Sequence, residues 1–405
     1  LRVLQVDKFL RRYGGAAAYM LDLGELLTQR GHRVEYFSVH HAENLSATYQ
    51  DLFPEVPSYE PPPRELRARL QAGANMFWSR EAGRAMEAVL EDFQPDIVHL
   101  HNIYHQLSPS VLRPIGSRGI PMVMTLHDFK LICPTYRLHD GRSSCEACLG
   151  GGFHHAVLRR CKSGSIVNSA LLAAETAVHR HLGAYDSVDR LVCPSRFLLE
   201  KLLEAGFDPD RLEHLPNFTS LEPVTELHQP GEAVVSIGRL SQEKGIDTLI
   251  EACAIPPALP LRIAGTGPLE DRLRSSAAGL APDTTAFLGQ LDRPGVIGEI
   301  DHARVVVFPA RGYENMPLAI LEAMSRGKPV IVTDIGGSPE LIENDVGGIT
   351  VPPDDPVALR AAIDRFTDPD FARLVGDAGV QRVRDHYLPS GHVERIESLY
   401  RRLLS

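Results

Sequence analysis

The sequence predicts an α/β protein made of two parallel-sheet domains in tandem, and three observations carry that expectation. Short β-branched runs alternate with longer helical patterns from end to end, as βαβ units require. At 405 residues the chain exceeds the size at which one hydrophobic core stops growing. A polar stretch containing proline separates two patterned halves.

In the first half the expected strands are 3–6, 34–39, 97–101, 121–126 and 190–193. A helix of about 17–29 stops at Gly31, where glycine supplies a left-handed cap. The second series of strands begins near Ala233 and comprises 234–237, 261–264, 285–288, 305–309, 330–333 and 349–351. Between the two lie Leu215-Pro216-Asn217-Phe218 and the polar residues 219–231, which set the domains at 1–215 and 219–387. A final helix, about 388–405, has apolar residues at helical spacing and is expected to pack back on the first domain. Ligands bind outside the carboxyl ends of parallel strands, so two such domains place the expected site in the cleft between them.

Composition narrows the function. Hydrophobic residues at 43% and charged residues at 23% are ordinary for a soluble globular chain. The net charge of −10 lies almost wholly in the second half, and no basic stripe offers nucleic acid the phosphate neutralisation its binding needs. No run of about 18 apolar residues is present, and the chain opens on a strand-like segment with no signal-peptide pattern, so the expected location is cytoplasmic. The stretch 57–80, with Arg64, Arg67, Arg69 and Trp78, is a candidate for acceptor binding or at most weak peripheral membrane contact, although a solvated helix face is the favoured account.

Two loops carry the chemistry. Gly238-Arg239-Leu240-Ser241-Gln242-Glu243-Lys244-Gly245 follows a buried strand and precedes a helix. The planar fork of Arg239 and the mobile point charge of Lys244 suit a diphosphate, where the bland reading is a solvated surface loop. Downstream, a fully buried strand ends in Arg311-Gly312-Tyr313-Glu314-Asn315-Met316-Pro317, and Leu318 opens a helical run. Pro317 fits the first helical turn, Glu314 falls in the loop, and Glu322 lies about two turns in on the same side. The amides of that helix start suit a phosphate, Glu314 a sugar and Glu322 a ribose; the plain alternative for Glu322 is a surface charge.

On these residues the chain resembles glycosyltransferase family 4, retaining, nucleotide-sugar-dependent enzymes of the GT-B fold. The resemblance spans nearly the whole chain. It implies that Arg239 and Lys244 hold the donor pyrophosphate, and that Glu314 and Glu322, with Asn315, Met316, Pro317 and Leu318, bind sugar and ribose. Gly265-Thr266-Gly267-Pro268 and Phe287-Leu288-Gly289 are similar to the family's base-facing loops, which makes Gly267 a candidate nucleotide contact, and Gly336-Gly337-Ser338-Pro339-Glu340 also matches. Gly14 and Gly15 follow the first strand, where residues lacking Cβ let amides approach a ligand; similar enzymes place this loop over donor phosphates and acceptor. The family often has Glu where this chain has Ala17. His127, in His127-Asp128, resembles the family's histidine facing the donor sugar across the cleft, with strand capping as the plain alternative. His99, His101 and His105 are weaker candidates for lining the acceptor side.

The resemblance further implies transfer from a nucleoside diphosphate sugar, UDP-sugar favoured, to a hydroxyl acceptor such as a small molecule, glycan or lipid-linked sugar. Retention would follow from front-face attack, with no carboxylate nucleophile and no cofactor required for catalysis; domain closure would exclude water. The competing readings are a nucleotide-sugar epimerase of similar fold and a non-catalytic sugar-nucleotide binder. A nicotinamide dehydrogenase is disfavoured because no G-x-G-x-x-G follows the first strand. Cys133, Cys145, Cys148 and Cys161 are candidates for a structural zinc site, with free buried or reactive thiols the alternative. Cys193 and Cys253 read as core residues. Asp208-Pro209-Asp210 and Asp368-Pro369-Asp370 read as helix-flanking turns rather than metal motifs.

Overall fold

A computed structural model describes residues 1–12, 14–56, 65–226, 231–344 and 346–405. Residues 57–64 of the arginine-rich stretch, Arg64 among them, and 227–230 of the inter-half segment lie outside the described residues. Two compact units result: Leu1–Tyr136 with Glu146–Pro216 and Pro389–Ser405, and Arg137–Cys145 with Asn217–Leu388. The short segment Arg137–Cys145 groups with the second unit, apart from its chain neighbours. There the Ser144 hydroxyl donates to the Arg311 carbonyl at 2.9 Å, and Arg137 stands 3.7 Å from Glu243.

The first unit holds a six-stranded parallel sheet of β1 (Arg2–Val6), β2 (Arg33–Phe37), β3 (Ile97–Leu100), β4 (Met122–Thr125), β5 (Arg190–Cys193) and β6 (Leu212–His214). Its order is β2-β1-β3-β4-β5-β6. Parallel strands are covered on both faces, and β3 and β4 are buried at every residue, which is why their sequences are mostly apolar, His99 and Thr125 excepted. Helix Gly14–Gln29 begins three residues before the expected Ala17, because Gly14 and Gly15 already belong to its first turn. Gly31 follows with φ of +87°, the left-handed conformation expected of it. In the arginine-rich stretch, helix Leu66–Phe77 carries Arg67 and Arg69 on its exposed side.

The second unit holds β7 (Ala233–Ile237), β8 (Leu261–Ala264), β9 (Thr285–Gly289), β10 (Ala303–Phe308), β11 (Val330–Thr333) and β12 (Ile349–Val351), all parallel in the order β12-β11-β10-β7-β8-β9. Its strands were all legible in advance. Two apolar clusters cover the sheet, one built on Leu249, Ile263 and Phe366 and one on Ile320, Met324 and Val332. Asp208 and Asp368 accept from amides two and, for Asp368, three residues on, each followed by proline in the first turn, so both Asp-Pro-Asp strings start helical segments. Among the described residues no helix is long and apolar enough to cross a membrane.

Helix Pro389–Leu404 belongs to the first unit. Its Glu397 is buried and accepts from Arg30 at 3.1 and 3.0 Å and pairs with His32 at 2.9 Å. Hydrogen bonds from Arg30, against the opposing cost of burial, hold its carboxyl down at about 2. A carboxyl lowered on folding contributes stability above its unfolded value that is lost as pH falls through the folded one. Glu397→Gln is therefore expected to melt below wild type at pH 7, with the Tm gap closing between pH 4.5 and about 2. A gap constant over that window would contradict the assignment.

Candidate active site

In the second sheet the chain order reverses between β7 and β10, and parallel sheets bind ligands at such a switch point. The Arg239–Lys244 loop leaves β7 there and the Arg311–Pro317 loop leaves β10 beside it. Gly238 and Leu240 tie the first loop to β8 through amide bonds of 3.0 Å to the Ala264 and Thr266 carbonyls. The amides of Arg311 and Gly312 both donate to the Glu243 carbonyl at 2.9 Å, joining the two loops directly. Gly245, at φ of +63°, makes the junction possible, since a Cβ there would overlap the Pro309 carbonyl.

The result is a charged pair. Lys244 Nζ stands 2.5 Å from Glu314 Oε1, so residues 70 apart in sequence meet at the switch point. Arg239 is exposed and makes no ion pair with any described residue, which leaves its fork open to a ligand. Helix Leu318–Ser325 starts after Pro317, whose ψ of 115° is extended, so proline is the N-cap and does not sit in the first turn. Glu322 accordingly lies about one turn into the helix, not two, because residues 311–317 form a loop that contributes no helical turn. It is half-buried. Met316 is buried in the apolar cluster with Ile320, and its Sδ accepts from the Asn217 amide at 3.0 Å, so it offers a ligand its backbone; Asn315 is also buried. Gly267 is required sterically, since a Cβ would collide with the Leu240 backbone.

Arg311 was quoted in the motif without a role. Its guanidinium donates to Asp247 Oδ1 at 2.7 Å and Thr248 Oγ1 at 3.0 Å, on the helix Ile246–Ala254 that follows Lys244. With 12% of its side chain exposed, it clamps the two donor loops together. Only an arginine closing a buried strand hinted at this. Arg311→Ala is expected to cost about 2 to 3 kcal/mol, the worth of hydrogen bonds to a charged group, as a lowered urea midpoint. A midpoint equal to wild type would show that backbone bonds alone hold the loops.

In the first unit Gly14 and Gly15 are exposed at a helix start, with open space where a Cβ on Gly14 would stand. Ala17 is buried in the core, so its side chain has no acceptor to meet. His127 is half-buried, and its Nε2 lies 3.0 Å from His101 Nδ1. Burial pushes its pKa down to about 3, leaving the ring neutral. His99 and His101 are fully buried and cannot line an acceptor site: the first bonds Tyr400 and Thr125, the second Gln5 and His127. His105 is held 3.1 Å from the buried Glu175.

Of the four clustered cysteines, Cys133 and Cys148 are buried and Cys145 and Cys161 half-buried, and none is in a disulfide. Among the described residues no three His, Cys, Asp or Glu side chains are grouped to hold a metal ion. Cys133 Sγ instead lies 3.4 Å from Thr135 Oγ1, while Cys148 and Cys161 pack around Phe153 and Ala156. Cys193 and Cys253 are buried, and burial pushes both thiols up to about 12.

Comparison with known proteins bears on the family and the fold. The family model described as Glycosyltransferase Family 4 matches residues 13–222, and the one described as Glycosyl transferases group 1 matches 219–373. The 2-deoxystreptamine N-acetyl-D-glucosaminyltransferase of Streptomyces fradiae is 29% identical over 354 residues, 81% of this chain and 79% of that one. The glycogen synthase of Mycobacterium tuberculosis is 32% identical over 77% of this chain and 72% of its own length. In fold, the sucrose-phosphate synthase of Thermosynechococcus elongatus superposes with a TM-score of 0.73 at 20% identity, covering 99% of this chain and 98% of that one. Anabaena HepE in complex with UDP-glucose gives 0.66 at 17% identity, with 98% of each chain covered. The family models and relatives, with the fold, define a glycosyltransferase of the GT-B type. The chain belongs to glycosyltransferase family 4.

Proposed function

We propose that the chain moves a sugar from a nucleoside diphosphate sugar, a UDP-sugar by preference, to a hydroxyl acceptor with retention of configuration. The observation that carries this reading is the Lys244–Glu314 pair at the sheet's switch point, beside the open fork of Arg239. The complex of HepE with UDP-glucose supports the choice of nucleotide. Arg239, Lys244 and the amides at the start of Leu318–Ser325 take the charge that builds on the departing diphosphate. Glu314 orients the sugar, Glu322 the ribose, and His127 bonds a sugar hydroxyl. In front-face attack the C1–O bond to the diphosphate breaks on the face where the acceptor oxygen bonds to C1. The acceptor proton passes to a departing phosphate oxygen.

Proton and phosphorus NMR of the protein with UDP-glucose, UDP-galactose and UDP-N-acetylglucosamine tests the reading without a known acceptor, through slow transfer to water. Released UDP with a first-formed α-sugar is expected from an α-linked donor. A β-sugar would contradict retention, and a new UDP-sugar isomer without free UDP would indicate an epimerase.

A further inference from the structure

Gln5 is a polar side chain, fully buried in the middle of β1, where an unpaired amide would be costly. Its carbonyl oxygen is paired, while its Nε2 has no hydrogen-bond partner among the described residues. Gln5 Oε1 lies 2.7 Å from His101 Nε2, and His101 Nδ1 lies 3.0 Å from His127 Nε2. The three rings of His99, His101 and His127 stack in series, with centroids 4.6 and 5.2 Å apart. Strand register makes the row possible: Gln5 pairs with His99 across β1 and β3, and alternate residues of a strand share a face. Tyr19 covers the row edge-on at 5.8 Å from His101 and 5.2 Å from His127.

A carbonyl oxygen only accepts, so Gln5 requires the proton of neutral His101 to sit on Nε2. His101 Nδ1 is then a lone pair, and it accepts from His127 Nε2–H. His127 is left with its proton inside and a bare Nδ1. That nitrogen has no hydrogen-bond partner among the described residues, and in a half-buried ring it is the one left for a ligand. A donor there would suit a ligand oxygen that only accepts, such as a phosphate; an acceptor suits the O–H of a sugar.

We propose that Gln5, acting through His101, fixes the tautomer of His127 so that its free Nδ1 accepts a hydrogen bond from a hydroxyl of the transferred sugar. Gln5 and His101 are positioning residues, and the proposal rests on the reading of His127 given above. The opposite state, with the Gln5 amide turned to donate, forces a proton onto His127 Nδ1 and makes it a donor. The two states are therefore distinguishable at one atom.

The test is nitrogen–proton correlation NMR on protein labelled with ¹⁵N-histidine, comparing wild type with Gln5→Met, which keeps the length and removes the carbonyl. In wild type the His127 proton is expected on Nε2. In Gln5→Met both tautomers of His127 are expected, with UDP-sugar turnover lowered about 3- to 10-fold, the worth of one hydrogen bond, and donor KM changed less. A wild-type proton on Nδ1, or a tautomer unaltered in Gln5→Met, overturns the proposal. Should Gln5→Met fail to fold, the wild-type spectrum alone decides. Full turnover in His127→Ala would instead overturn the sugar-binding role of His127, and the tautomer measurement would stand apart from it.

Discussion

Lys244→Ala is expected to lower turnover on a UDP-sugar by about 10²- to 10³-fold at saturating donor, the loss typical of one preorganised electrostatic stabiliser. Lys244 reaches the switch point because Gly245 turns the chain back against Pro309, and its Nζ is held by Glu314 at 2.5 Å. Negative charge on the diphosphate grows as the C1–O bond breaks, so the ammonium binds the transition state more tightly than the ground state. That difference appears in turnover. The ion pair makes a second consequence specific: removing Lys244 leaves Glu314 as an unbalanced carboxylate beside the diphosphate. Lys244→Ala with Glu314→Gln should therefore be less impaired than the two single losses multiplied together, which steady-state rates on one donor will show. Turnover within a factor of two of wild type in Lys244→Ala would remove it from the leaving-group site.

The largest expected loss of stability lies in the first unit. Glu175 is fully buried and takes Lys130 Nζ at 2.6 Å and His105 Nδ1 at 3.1 Å. Burial alone would push its carboxyl up; Lys130 and His105 more than offset that and hold it at about 2. Lys130 is itself buried and lies 5.7 Å over the Tyr104 ring. Truncating one partner of a buried pair strands the other charge, at a cost of about 3–5 kcal/mol, whereas replacing both by apolar groups is often near neutral. Glu175→Ala is thus expected to lower the urea midpoint sharply at pH 7, and Lys130→Met with Glu175→Leu to recover much of it. A loss below about 1 kcal/mol in Glu175→Ala would mean that water reaches Lys130.

Local signals were legible in the sequence and long-range pairings were not. All six strands of the second sheet could be read because apolar and β-branched residues dominate each short run, and the two donor loops because each follows such a strand. β6 escaped because Leu212–His214 is three residues long and half-buried at each, an edge strand without a pattern. The start of the first helix was misplaced because Gly14 and Gly15 disfavour helix interiors but not a first turn. Arg311 and Asp247 are 64 residues apart, and Gln5 and His101 are 96 apart; no local pattern links either pair. His99 and His101 looked like site residues because they end a strand. His99 is met instead by Tyr400, which comes from the far end of the chain, and His101 by Gln5 and Tyr19.

The claim on which the account turns is that Arg239 and Lys244 hold the diphosphate of the donor. Calorimetric titration of UDP into wild type and into Arg239→Ala/Lys244→Ala tests it without an acceptor. The account predicts a measurable wild-type affinity that falls by about 10²-fold or more in the double variant, as two charge-assisted contacts are lost. Equal affinity for the two proteins would contradict it.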